Sequence, residues 1–305
     1  MGRRRKKQTT YYKYIGGAVS ALACVATIVT TQLKESHVME AQTQVDQTVA
    51  TVTTAEPITH AAEAAGKAGK ATKTRSRGYE IPAYLTDREE EIVEHHGFTL
   101  SYNSRHLLPN WVAWVLTPER LRGGEKRADN FQPDESIQRG PIATTYDYRG
   151  SGYDRGHMCP AADNKHSREA MNDCFLMSNM CPQTHDLNAG DWEQLESRCR
   201  SWARRYGELY IVAGPVIKKG GRYEKIGENR VSVPHQFYKV LLRMKSEKEA
   251  EAIGFIFNNN DDNKPLESYA CSVDDVEALT GINFFSKLPK RVEQKAEATY
   301  DYRNW

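Results

Sequence analysis

Asp154-Arg155-Gly156-His157, Ser178-Asn179-Met180-Cys181-Pro182-Gln183 and Leu187-Asn188-Ala189-Gly190-Asp191-Trp192 follow one another in a chain of 305 residues. The last of these opens onto the best-marked helix in the sequence. Trp192, Leu195, Cys199 and Trp202 recur at i, i+3, i+7 and i+10, a single apolar stripe that predicts one helix over 188–205. Outward from it, compact aromatic and β-branched runs predict strands. One covers 111–116 and ends at Thr117-Pro118; another covers 209–212 and stops before Gly214-Pro215. Runs at 237–244 and 252–257, separated by the charged turn 245–249, predict an antiparallel pair, and 274–279 closed by Gly281 predicts a short helix. Strands and helices mixed without βαβ regularity indicate an α+β domain.

The same stretch carries a coherent chemistry. Hydrolysis of a phosphodiester requires a base for the attacking water, and a neutral imidazole suits that task near pH 7. Charge gathering on the phosphoryl and leaving oxygens must be offset by a divalent cation or an arginine. Mg²⁺ keeps most of its waters and takes few protein oxygens. His157, Arg155, Asn179, Asn188 and Glu196 supply such a set. On an unbroken helix Asn188 and Glu196 stand roughly 12 Å apart along the axis and about 80° apart in direction, so Glu196 reaches a cation at Asn188 only through water.

These motifs, in this order and spacing, resemble the DNA/RNA non-specific endonucleases of the ββα-metal (His-Me finger) group. The resemblance spans roughly residues 84–288, with Trp111-Val112-Ala113-Trp114 and Gly281-Ile282-Asn283-Phe284-Phe285 also in character. It implies a central antiparallel sheet flanked by helices and bearing a ββα metal motif. It further implies that His157 activates water, that Asn188 is the sole direct protein ligand of Mg²⁺, and that Glu196 orders water on that ion. Arg155 and Asn179 match positions that support the site and the phosphate. Arg127, in Arg127-Ala128-Asp129-Asn130-Phe131, is similar to a phosphate-binding arginine. Mn²⁺ accepts the same oxygen ligands as Mg²⁺. DNA and RNA are the implied substrates, cut to 5′-phosphorylated products.

Blander readings of single residues stand beside these. Asn188 alone reads as a helix N-cap, Glu196 as a solvated helix residue, and Arg155 as an ion-pair partner of Asp154 or Asp147. Trp192 reads as core, and His95, His96, His166, His185 and His235 as surface or packing residues. A Cys159 nucleophile lacks any orienting motif. Two alternatives for the whole keep the scaffold: an exported nucleic-acid-binding protein with a degenerate site, and a phosphodiesterase for a small diester.

Composition argues against a strongly basic nucleic-acid binder. The net charge of +2 conceals a basic tip, and residues 79–305 hold 30 basic against 35 acidic residues. A polyanion must therefore be held by a local basic patch and a cation. Arg3-Arg4-Arg5-Lys6-Lys7 followed by an uncharged run over 15–32 reads as an export signal or membrane anchor. The expected organisation is 1–32 signal or anchor, 33–78 low-complexity linker, 79–290 catalytic domain and 291–305 tail, acting outside the cytoplasm. Five cysteines fall in the body; Cys159 with Cys181, and Cys199 with Cys271, are the expected disulfide partners.

Overall fold

A computed structural model describes residues 77–260 and 262–305. The expected signal or anchor at 1–32 and nearly all of the linker at 33–78 lie outside the described residues. The frame is one seven-stranded sheet in the order β1-β2-β3-β6-β9-β10-β11. Its members are β1 (Glu91–Glu94), β2 (Thr99–Asn103), β3 (Leu108–Leu116), β6 (Leu209–Pro215), β9 (Gln236–Ser246), β10 (Glu249–Asn258) and β11 (Ala270–Cys271). Every neighbouring pair is antiparallel. The β9–β10 hairpin runs from Glu249 opposite Ser246 to Asn258 opposite Gln236, leaving a tighter turn than its charged run suggested.

The central strands read as continuous apolar runs because both faces of the sheet are covered. Strand residues alternate sides: Val112 and Trp114 join the core on one face, Trp111 and Ala113 the core on the other. The second face is covered by α4 (Val273–Thr280) and α5 (Lys290–Glu297), through Val273, Val276 and Ala296. Helix α4 starts in a capping box, Ser272 accepting from the Asp275 amide while the Asp275 carboxylate accepts from the Ser272 amide. Residues 291–305, expected as a tail, supply most of α5 and end at Trp305, whose ring packs 5.5 Å from that of Trp202.

The first face carries the candidate site. A two-stranded ribbon, β4 (Asp154–His157) and β5 (Met180–Gln183), is antiparallel, with Gly156 opposite Cys181 and His157 opposite Met180. Short helix α1 (Thr145–Tyr148) precedes it in the chain, α2 (Arg168–Asp173) lies between its two strands, and a small β7–β8 pair (Lys225–Ile226, Val231–Ser232) follows. The ribbon leads into a π-helical turn (Leu187–Trp192) and then α3 (Glu193–Tyr206). The expected helix is therefore two pieces. Gly190 sits at φ −110°, ψ −109° at the kink. The axial estimate for Asn188 and Glu196 assumed an unbroken α-helix and does not hold across this turn. The apolar stripe itself is buried as expected, with Trp192, Leu195, Cys199 and Trp202 all at most 4 % exposed.

Candidate active site

Strand β4 delivers His157 at its end. Gly156 before it faces Gln183 so closely that a Cβ would stand 2.0 Å from the Gln183 Oε1, so any side chain here would have to displace that buried glutamine. The His157 ring packs against Phe175 and Phe131, with centroids 5.1 and 5.7 Å away. Its carbonyl accepts a hydrogen bond from the Trp192 indole at 3.1 Å. Its Nε2 is buried without a partner. Burial first, then the positive charges of Arg127 and Arg155 against the opposing pull of Asp129, push this imidazole down to about 3. His157 is thus neutral at working pH, with one ring nitrogen uncommitted.

Two guanidinium groups flank the aromatic pair. Arg155 lies 4.0 Å over the Phe131 ring and Arg127 4.9 Å over Phe175. Arg127 also pairs with Asp129 at 2.6 Å. Arg155 forms no ion pair with Asp154 or Asp147 among the described residues. Asp147 is held instead by Thr144 and Asn229, and Asp154 by two residues of the next segment.

Those two residues bring the π-helical turn into the site. The Asp154 Oδ2 accepts from Asn188 Nδ2 at 3.0 Å and contacts His185 Nδ1 at 2.8 Å. Asn188 is not an N-cap. Its amide nitrogen is spent on Asp154, which leaves its carbonyl oxygen beside a carboxylate. That is a hard-oxygen donor set of the kind Mg²⁺ or Mn²⁺ accepts, and the residues present fit such an ion. Arg127, Asp129, Phe131, Arg149, Asp154, Arg155 and Asn188 line one open groove of about 850 Å³.

Asn179 is wholly buried and supports this arrangement from behind. Its Oδ1 accepts from the Cys159 amide at 2.9 Å, and its Nδ2 donates to the carbonyls of Cys159 and Cys174. Both ends of the amide are committed to backbone, so Asn179 is a positioning residue. Glu196 lies on α3, within 3.8 Å of Arg200. Burial first, then Asp163 and Glu193, raise its carboxyl to about 7 against the pull of Lys239 and Arg200. No direct contact joins Glu196 to His157 or Asn188 among the described residues.

The expected disulfides are not formed. Cys159, Cys174, Cys181, Cys199 and Cys271 are all free. Cys181 faces Gly156 across the ribbon. Cys159 shares the Asn164 amide with Cys174 instead, at 3.3 and 2.9 Å from the two sulfurs.

Sequence reasoning gave Asp154 no part beyond pairing with Arg155, although it heads the first motif, and gave none to Phe131 and Phe175, which pack against His157. His185 is exposed, as expected of a surface residue, and also contacts Asp154. Trp192 is core, as expected, and also fixes the His157 backbone.

A family model described as DNA/RNA non-specific endonuclease matches residues 76–291. Human mitochondrial endonuclease G is 35 % identical over 223 residues, covering 70 % of this chain and 75 % of that protein. A mitochondrial nuclease 1 from Schizosaccharomyces pombe is 38 % identical over 229 residues, covering 70 % of each. A nuclease from Nostoc is 36 % identical over 230 residues, covering 72 % and 82 %. Among solved structures, a chain of the EndoG/EndoGI complex superposes with a TM-score of 0.63 at 30 % identity, over 72 % of this chain and 96 % of that one.

Proposed function

The chain belongs to the DNA/RNA non-specific endonuclease family and is a nuclease, and from that premise we propose a divalent-cation-dependent endonuclease that hydrolyses DNA and RNA without reading base sequence. The observation that carries this reading is the buried, neutral His157 with an unpartnered Nε2, packed on the two rings over which Arg127 and Arg155 stack, at the end of the strand whose Asp154 holds Asn188.

The roles follow from the chemistry of each group. Arg127 and Arg155, stacked and therefore limited in rotamer freedom, hold phosphate oxygens against the Phe131–Phe175 wall. His157 accepts the proton of a water as its oxygen forms a bond to phosphorus. The bond from phosphorus to the leaving oxygen then breaks, leaving a 5′-phosphate. Phosphate charge close to the imidazole offsets the two guanidiniums and raises its basicity, although burial, the first cause of its low value, remains. Asn188 presents its carbonyl oxygen to Mg²⁺ or Mn²⁺, with Asp154 fixing the amide. The cation, when bound, offsets the negative charge that gathers on the phosphoryl and leaving oxygens. Glu196, charged only near and above pH 7, orders water on the cation side. Phosphate rather than base contacts make such cleavage indifferent to sequence.

The matched range, 76–291, supports a catalytic domain over about 79–290. The basic tip and apolar run support export or membrane anchoring by the first 32 residues; fractionation of tagged cells that leaves the protein in the cytoplasm would exclude it.

The first test is digestion of plasmid and of RNA by the full chain, with Mg²⁺ or with EDTA, beside His157→Ala. Cleavage of both substrates, lost with EDTA and with the substitution, is the expected result. Near-normal cleavage by His157→Ala would remove His157 as the base. Folded protein that cuts neither substrate with any of several divalent cations would overturn the activity itself.

A further inference from the structure

On the sheet face covered by α4 and α5, the carboxylates of Asp274, Glu277 and Glu297 each place one oxygen within 4.8 Å of the others. Asp274 is exposed, Glu277 half-buried and Glu297 buried, so the cluster runs from solvent into the packing between the two helices. An acidic cluster alone indicates nothing, because carboxylates at a surface are simply solvated. Glu297 differs. It is 4 % exposed, and its Oε1 is buried with no hydrogen-bond partner. A carboxylate oxygen denied both water and a donor is costly to bury.

The surroundings do not relieve it. Glu293, also buried, adds a fourth carboxylate, and its ion-pair partner is Lys290 at 3.1 Å. Glu277 spends one oxygen on the Phe284 amide at 2.7 Å. Crowding shows in the acidities: burial, then Glu277, Glu293 and Asp274, hold Glu297 up at about 9, and burial first holds Glu277 at about 7.

We propose that Asp274, Glu277 and Glu297 form a second divalent-cation site, of the Ca²⁺ class, that ties α5 to α4 independently of the catalytic groove. The donor set fits Ca²⁺, which takes several carboxylate oxygens in a flexible geometry, whereas Mg²⁺ demands a near-ideal octahedron and keeps most of its waters. Asp274 supplies the solvent-side ligand and an entry path, Glu277 the middle one, and Glu297 the buried one. The ion replaces the missing partner of Glu297 and draws the last helix onto the one before it. Its role is stability of the C-terminal part of the domain, since none of the three side chains belongs to the groove.

The test uses the full chain carrying Asn188→Ala, which disables the proposed catalytic cation site, freed of metal with EDTA and then dialysed. Calorimetric titration with CaCl₂ alone is expected to show one bound equivalent. Thermal unfolding at about a hundred times Kd is expected to move up by roughly 5–10 °C. Glu297→Gln and the exposed Asp274→Asn, each added to this background, are expected to weaken binding at least about tenfold and to remove the thermal shift. The same two substitutions in the otherwise unaltered chain should leave nucleic-acid cleavage with Mg²⁺ at its normal rate. Absence of Ca²⁺ binding at millimolar concentration, or binding that survives both substitutions, would overturn the proposal without touching the nuclease reading.

Discussion

His157 is held where a charged imidazole is unwelcome, buried against two phenyl rings over which two guanidiniums stack, and that placement has a consequence for folding as well as for chemistry. Its folded value of about 3 lies below the ordinary 6.5. Between those limits the unfolded chain binds a proton that the folded chain refuses, so stability rises with pH through this window. The contribution is complete above about pH 6.5 and is lost as pH falls toward 3, up to about 5 kcal/mol at the limit. His157→Gln should therefore flatten the acid arm of a urea-stability curve while abolishing cleavage; an unchanged arm would place the acid sensitivity elsewhere. Glu196 titrates the other way, its carboxyl raised to about 7. Cleavage is expected to climb from pH 6 to 8 as it ionises, and Glu196→Gln to remove that climb and lower kcat by roughly a hundredfold. A kcat–pH profile whose shape survives the substitution would detach the ionisation from Glu196.

The elements show which parts of this arrangement a linear reading reaches. Strands β3, β6, β9 and β10 are legible because both sheet faces are covered, so their residues form unbroken apolar runs. The motif residues are legible because they are contiguous. The π-helical turn is not, since apolar periodicity registers only positions from Trp192 onward, whereas the turn carries the polar bond from Asn188 to Asp154. Nor are cysteine neighbours legible, because spacing along the chain carries no Cβ geometry; Cys159 meets Cys174 around a buried asparagine rather than Cys181 across the ribbon. One substitution probes these joints. Asn179→Ala strands the Cys159 amide and two carbonyls in the core, and is expected to cost about 2–4 kcal/mol in denaturant unfolding, as unsatisfied buried groups do.

At the scale of the whole molecule the puzzle is charge. Residues 79–305 carry a net −5, yet the proposed substrate is a polyanion, so attraction must be local. The groove sets Arg127, Arg149 and Arg155 against Asp129 and Asp154, a small excess that a divalent cation enlarges. Few cationic contacts mean few counterions released on binding. If Arg127 and Arg155 engage one phosphate each, the logarithmic salt slope is about −1.8, and affinity falls only about tenfold between 50 and 200 mM salt. Arg127→Ala should then raise KM for every sequence alike and reduce the slope by about one. A second concavity, of about 510 Å³, is lined by Arg88, Arg105, Lys218, Lys219 and Lys225. Arg88 there is already committed to Asp87 and to the carbonyls of Ile217 and Thr280, and Lys225 donates to the Ser232 hydroxyl, which leaves Arg105, Lys218 and Lys219 beside Glu89. A measured slope of about −5 or steeper, relieved by Lys218→Ala with Lys219→Ala, would show that long nucleic acid is gripped there as well; the shallow slope expected here confines binding to the groove.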